Sequence, residues 1–265
     1  MKKALICHRW EMAFQESLSE PAEKTAVASE PFVDRIFGAR LKDISASTAA
    51  GYELLKDLPP DCRVTEFFGG VGLQTKMVQA LLSPSFHIVM EKDERCLAHL
   101  VRTFPAAVYT RSAERLRSAR PAPSPMICRG DARQVIEAGN FAPADIYLLD
   151  WNTFTIHQWK TWAAPLVEQL FRTHPLALTW YDTSRPYFHL HKALYSAILG
   201  TVSNLHEYSL ALSTFFHSRY GYSVTRAIYC PRATYYRLEP TVAEQPPVEI
   251  TITYENDGFL WTDSA

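Results

Sequence analysis

The sequence predicts an α/β fold, a mostly parallel sheet with helices on both faces and an antiparallel hairpin near its C-terminal end. Three observations predict it. Apolar, β-branched runs alternate with helix-length segments between residues 64 and 181, the rhythm of βαβ units. The first run, Val64-Thr65-Glu66-Phe67-Phe68, passes through Gly69-Gly70-Val71-Gly72 straight into a helix-like segment at Leu73. Glycine permits positive φ and close approach to bare amides, and a helix N-terminus adds free N–H groups and partial positive charge. Such an elbow suits a nucleotide-like ligand at the carboxyl end of a parallel sheet. The third observation is a pair of strand-like runs, 223–230 and 233–238, flanking Pro231-Arg232 as a hairpin.

Taken in order, residues 1–60 read as an N-terminal helical extension. A short helix over 11–18 is followed by a small, polar linker over 21–30. Phe32, Ile36 and Phe37 fall at helical spacing after Pro31. A third helix over 47–56, capped by Ser47 or Thr48, stops before Pro59-Pro60, with Tyr52, Leu54, Leu55 and Leu58 placed to pack on the sheet.

Residues 61–240 form the central domain. A strand over 64–68 leads to a helix over 73–82. A strand over 86–90, apolar apart from His87, ends in Glu91; Asp93 then caps a helix over 95–104. A short strand over 108–110 precedes an arginine-rich stretch and the rigid loop Pro121-Ala122-Pro123-Ser124-Pro125. The strand over 125–128 ends in Arg129-Gly130-Asp131-Ala132, and the strand over 145–150 runs into Trp151-Asn152-Thr153-Phe154. A helix over 159–172 and a strand over 175–181 follow. An aromatic and basic segment over 185–192 then leads into a helix ending at 199. Residues 241–265 are a C-terminal extension whose alternating strand, 248–255, could add at a sheet edge or join a second copy in a homodimer.

Composition narrows the function. The chain has 265 residues, 47% of them hydrophobic, and a net charge of −1, enough apolar material for a core and no global attraction to nucleic acid. No apolar run approaches the roughly 18 residues of a membrane span. The basic start Met1-Lys2-Lys3 is followed by too short an apolar run for a signal peptide. The five cysteines are scattered without C-x-x-C spacing, which predicts neither a zinc site nor a disulfide framework and points to a reducing cytoplasm. His189 and His191 read as surface residues, and no metal is expected.

The glycine turn lacks the third glycine of the dinucleotide fingerprint, since Thr75 occupies that place. An acid precedes the glycines instead, giving E-x-F-x-G-x-G from Glu66 to Gly72. A carboxylate there would repel a pyrophosphate but can accept hydrogen bonds from an ammonium. This pattern resembles motif I of the class I S-adenosylmethionine (SAM)-dependent methyltransferases, in the form common among those acting on nucleic acids. The resemblance implies a seven-stranded Rossmann-like methyltransferase sheet and SAM as cofactor, held by Glu66, Phe68, Gly70 and Gly72. It also implies that Glu91, with Lys92 beside it, receives the ribose hydroxyls, and that Asp131, followed by Ala132, receives the adenine amino group. A Ser-Ala-Glu at 112–114 has the same shape as Gly130-Asp131-Ala132, but a strand follows Asp131 at a natural one-helix distance.

In that family the end of the fourth strand faces the transferred methyl. Amino-directed nucleic-acid enzymes carry D/N/S-P-P-Y/F there. This chain has Asp150, then Trp151 and Asn152 where prolines would stand, and Phe154 as a further aromatic. Asp150 is the candidate general base or amine acceptor, and Trp151 and Phe154 are candidate stacking platforms. The cysteine that C5-cytosine enzymes carry in this loop is absent.

Eight arginines and only two acids fall between Arg95 and Arg133, the local footprint of phosphate contacts. Arg111, Arg115, Arg117 and Tyr187 are therefore candidate substrate contacts. The expected function is methylation of a DNA or RNA base at an exocyclic amine. A small-molecule or protein methyltransferase, and a non-catalytic methyltransferase-like partner subunit, remain open alternatives.

Overall fold

A computed structural model of the chain describes residues 50–110, 124–137, 143–149, 174–180, 200, 205–230, 234–241 and 249–252. The helices expected within 1–46, 159–172 and up to 199 lie outside the described residues. Residues 50–55 are helical and close in a 3-10 turn, Glu53–Leu55. The elements that follow are β1 (Arg63–Phe67), α1 (Leu73–Leu82), β2 (Phe86–Glu91), α2 (Glu94–Thr103), β3 (Val108–Thr110), β4 (Met126–Arg129), α3 (Ala132–Glu137), β5 (Ile146–Leu149), β6 (Leu176–Trp180), α4 (Leu205–Tyr220), β7 (Tyr222–Tyr229), β8 (Thr234–Pro240) and β9 (Glu249–Ile252).

β1 lies in the interior of the sheet, with Val64, Thr65, Glu66 and Phe67 all at 0% exposure, as expected of a strand covered on both faces. It pairs parallel with β2 on one side and β5 on the other. Its register against β5 is locked at the amino end. The Arg63 backbone N–H and guanidinium donate to the Asp145 carboxylate at 2.8 and 3.0 Å, and the Asp145 N–H donates back to the Arg63 carbonyl at 2.8 Å.

The full order is β3-β4-β2-β1-β5-β6-β8-β7-β9. β8 lies antiparallel between β6 and β7, the C-terminal hairpin that the sequence predicts. The seven expected strands are all present, and among the described residues the sheet has nine because each edge gains one. β3 pairs parallel with β4, and β9 pairs parallel with β7. These are the short run at 108–110 and the alternating run near 250, which joins the edge of this sheet. Strand order reverses between β1 and β5, so their carboxyl ends flank the crevice where open α/β sheets bind ligands. The topology is that of the Rossmann-like methyltransferase fold.

Two apolar clusters hold helices to the sheet. Tyr52, Leu54, Leu55 and Leu58 pack with Val78 and Leu82 of α1 over Val64, Ile146 and Leu148, as the apolar spacing of 52–58 predicts. Leu97 and Leu100 of α2 pack on Val89 and Ile127, with Phe104 and Tyr109 at the margin. α2 starts at Asp93, whose carboxylate accepts from the Arg95 and Cys96 N–H groups, the expected cap. The sequence reading assigned no element to 205–220, where the structure has α4. Its buried side chains Tyr208, Leu212, Phe216 and Tyr220 recur every four residues along one face.

Cys62, Cys96, Cys128 and Cys230 are buried thiols. Burial pushes the Cys128 thiol up to about 11 and the Cys96 thiol well above the ordinary range. Only the thiolate is an effective nucleophile. The native protein should therefore leave these four unlabelled by an alkylating reagent at mildly alkaline pH, and denaturant should expose all four. Peptide mapping that finds label on any of them before unfolding would contradict their burial.

Candidate cofactor site

The glycine turn is built from residues in the left-handed region. Phe68 has φ +69°, Gly70 +51° and Gly72 +83°. The glycines serve different ends. A Cβ on Gly69 would sit 2.4 Å from Val89 Cγ1, and one on Gly72 would sit 2.7 Å from Leu100 Cδ2. Those two let the turn lie close against β2 and α2. A Cβ on Gly70 would meet nothing within 4 Å, so Gly70 is where the turn presents bare backbone to open space. Gly72 is also the N-cap of α1 and provides no side-chain cap, leaving the partial positive charge of the helix end to the turn.

The ends of β1, β2 and β4 are tied together at this point. The Gly69 N–H donates to the Met90 carbonyl at 2.8 Å, and the Gly130 N–H donates to the Glu91 carbonyl at 3.0 Å. The Glu91 side chain takes three backbone donors: Gly70 N–H on Oε2 at 2.7 Å, and Lys92 and Asp93 N–H on Oε1, each at 2.8 Å. Burial raises the Glu91 pKa above its ordinary value, and the backbone donors of Asp93, Gly70 and Lys92 oppose that rise. A carboxylate offers about four acceptor positions; three are filled, and the one left lies on Oε2. Lys92 Nζ reaches Asp131 Oδ2 at 3.3 Å, joining the loops after β2 and β4.

Glu66 lies beneath the turn rather than on its surface. Its Oε2 accepts the Thr75 hydroxyl at 2.8 Å and contacts His87 Nε2 at 3.2 Å. Its Oε1 is buried with no hydrogen-bond partner. Thr75, at the place of the missing third glycine, therefore bonds the acid that distinguishes the motif.

The structure thus brings together Glu66, Phe68, Gly70, Gly72, Glu91, Lys92 and Asp131, with Ala132 buried at the start of α3. Asp150, Trp151, Asn152, Phe154, Arg111, Arg115, Arg117 and Tyr187 lie outside the described residues. Leu149, the residue before Asp150, pairs with Phe67 and Leu178. Among the described arginines of the basic stretch, Arg95 pairs with Asp93 at 3.3 Å, Arg129 pairs with Glu94, and Arg102 is exposed. The sequence reading missed Thr75, Gln79 and His87 as part of the site. The signal for His87 was its place as the single polar residue in the apolar run of β2. Among the described residues, no group of three metal-ligating side chains occurs, and no helix is long and apolar enough to cross a membrane.

The donor set fits a nucleoside carrying hydroxyls and a cation. The carboxylates of Glu66 beneath the turn and Glu91 beside it make poor surroundings for a pyrophosphate, and the Gly70 N–H is already given to Glu91. No family model and no curated protein matches the sequence. Solved structures similar in fold include PhzM, a pyocyanin biosynthetic protein, with 16% identity over 82% of this chain and 60% of that one and a TM-score of 0.48. Another is the magnesium protoporphyrin IX methyltransferase ChlM of Synechocystis PCC 6803 with bound SAH, at 12% identity over 85% of this chain and 92% of that one, TM-score 0.44. A fibrillarin/Nop5p complex is similar at 9% identity over 71% and 78%, TM-score 0.45.

Proposed function

We propose that the chain is a SAM-dependent methyltransferase whose acceptor is a nucleic acid, at an exocyclic amine of a base. The observation that carries the donor half is Glu91, held by three backbone amides beside the open face of Gly70. There it can receive a ribose hydroxyl on the remaining position of Oε2. Glu66 supplies negative charge under the turn for a cationic group. Asp131, paired with Lys92, lies at the edge where an adenine amino group would be received. SAM bound at this turn would supply an electrophilic methyl group.

The acceptor half rests on sequence. Asp150 follows directly on β5, whose last residue pairs with the last residue of β1. In that position it would accept the proton of an attacking amine. Trp151 and Phe154 would stack on the base, and Asn152 would hydrogen-bond its edge. Arg111, Arg115, Arg117 and Tyr187 would hold backbone phosphates and the flanking base. Orientation of amine against methyl provides much of the acceleration in such a displacement.

A small-molecule or protein acceptor is the second reading. It is favoured by the ion pairs of Arg95 and Arg129 with Asp93 and Glu94, which neutralise two of the arginines otherwise available to phosphate. The test is incubation with methyl-labelled SAM and separate pools of DNA, RNA, protein and small metabolites, beside an Asp150→Ala chain. Label should enter a nucleic-acid pool, and pool binding should weaken steeply with salt. Label confined to protein or metabolites would overturn the nucleic-acid acceptor. Equal labelling by the variant would remove Asp150 from the chemistry.

A further inference from the structure

Four polar side chains form a chain of contacts beneath the glycine turn. Gln79 Nε2 on α1 lies 2.9 Å from His87 Nδ1, and His87 Nε2 lies 3.2 Å from Glu66 Oε2. Thr75 donates to the same oxygen at 2.8 Å. His87 is 1% exposed, and Glu66 and Thr75 are at 0%. With the Gln79 amide nitrogen donating to Nδ1, the ring proton sits on Nε2 and is donated to Glu66. A buried imidazole is costly unless bonded, and here both ring nitrogens are bonded.

Two donors therefore converge on one carboxylate oxygen while the other, Oε1, stays buried without a partner. Leaving a buried acceptor bare is expensive and calls for an explanation. A freely turning carboxylate would share its two oxygens between the two donors. Held by His87 on one side and Thr75 on the other, it cannot.

We propose that His87, oriented by Gln79, is a positioning residue of the donor site: it fixes Glu66 so that one carboxylate oxygen is reserved for a cationic group of the ligand, the α-ammonium of the methyl donor. This rests on the donor reading above. Glu66 has no exposed surface, so the bond forms directly when the turn yields or through one bridging water.

The test separates ligand ends. S-Adenosylhomocysteine carries the ammonium, and 5′-methylthioadenosine lacks the amino-acid end. Binding of both is measured by calorimetry for wild type, His87→Leu, His87→Gln and Gln79→Met, each checked by thermal unfolding. His87→Leu should lose about tenfold or more on S-adenosylhomocysteine and under about threefold on methylthioadenosine, the scale of one charge-assisted hydrogen bond. His87→Gln, whose amide can still donate to Oε2, should restore most of the loss. Gln79→Met leaves the buried pair in place; it should show the same selectivity on a smaller scale, and it carries the test if His87→Leu does not fold. Unchanged S-adenosylhomocysteine binding, or equal loss on both ligands, would overturn the positioning role. A wild type that binds neither ligand would instead overturn the donor reading itself.

Discussion

Gly72→Ala should lower stability by about 2–5 kcal/mol, from roughly 1–2 for an alanine in the left-handed region and roughly 1–3 for overpacking. The residue has φ +83°, and its new methyl would lie 2.7 Å from Leu100 Cδ2 and 3.2 Å from Phe104 Cε2. Leu100 is fully buried in the α2 cluster, so its side chain has little room to move away. The same change should also abolish most donor binding, because Gly72 closes the turn through its N–H to the Gly69 carbonyl at 2.9 Å and starts α1. Gly70→Ala is the control. Its methyl would meet nothing within 4 Å, so the cost should be only about 1–2 kcal/mol from the positive φ, with donor affinity still lost. Urea unfolding by linear extrapolation measures the first effect, with an unchanged slope showing that compactness is unaffected. A Gly72→Ala chain as stable as the parent would mean the turn does not need that backbone conformation.

The sheet was legible because each strand is a short apolar run bounded by clear punctuation, and because β1 announces itself through Glu66 and three glycines. Even the two edge strands could be read, since 108–110 and 248–255 carry β-branched or alternating residues. α4 escaped because Ser209, Ser213 and Thr214 interrupt its apolar residues in the linear sequence. The stripe from Tyr208 to Tyr220 emerges only when residues are read four apart. In the site, the order of acids after successive strands was readable, but what each acid does was not. Glu91 reads from sequence as a free acceptor for two hydroxyls, yet three backbone amides already occupy it. Glu66 reads as a turn residue facing a ligand, yet it is sealed under the turn by residues nine and twenty-one positions away. Such pairings depend on where helix and strand meet in space, which periodicity does not encode. The same holds for Arg95 and Arg129, counted as basic surface from composition but engaged by acids at the start of α2.

Glu91→Gln should weaken donor binding by about a hundredfold and remove a pH dependence of a particular sign. The loss follows from hydrogen bonds to a charged group, about 1.5–3 kcal/mol each. The amide would also turn a donor toward either the Gly70 N–H or the Lys92 and Asp93 N–H groups, which need acceptors. The pH argument rests on burial, which raises the Glu91 pKa above the ordinary 4.5. Between that value and the raised one, the folded chain holds the proton and the unfolded chain has released it. Folded protein then binds more protons than unfolded, so Glu91 makes stability fall as pH rises through this window. Donor binding should run the other way, because a ribose hydroxyl is best received by the ionised carboxylate. Affinity for S-adenosylhomocysteine should therefore rise with pH across the same interval in which Glu91's contribution to stability declines. Calorimetry and urea unfolding on matched samples, wild type against Glu91→Gln, isolate both slopes. Persistence of the binding slope in the variant would assign it to another group, and binding that weakens as pH rises would contradict Glu91 as the acceptor. Opposite slopes that vanish together on one substitution would tie the geometry of the turn to the ligand it holds, since a purely structural acid would affect stability alone.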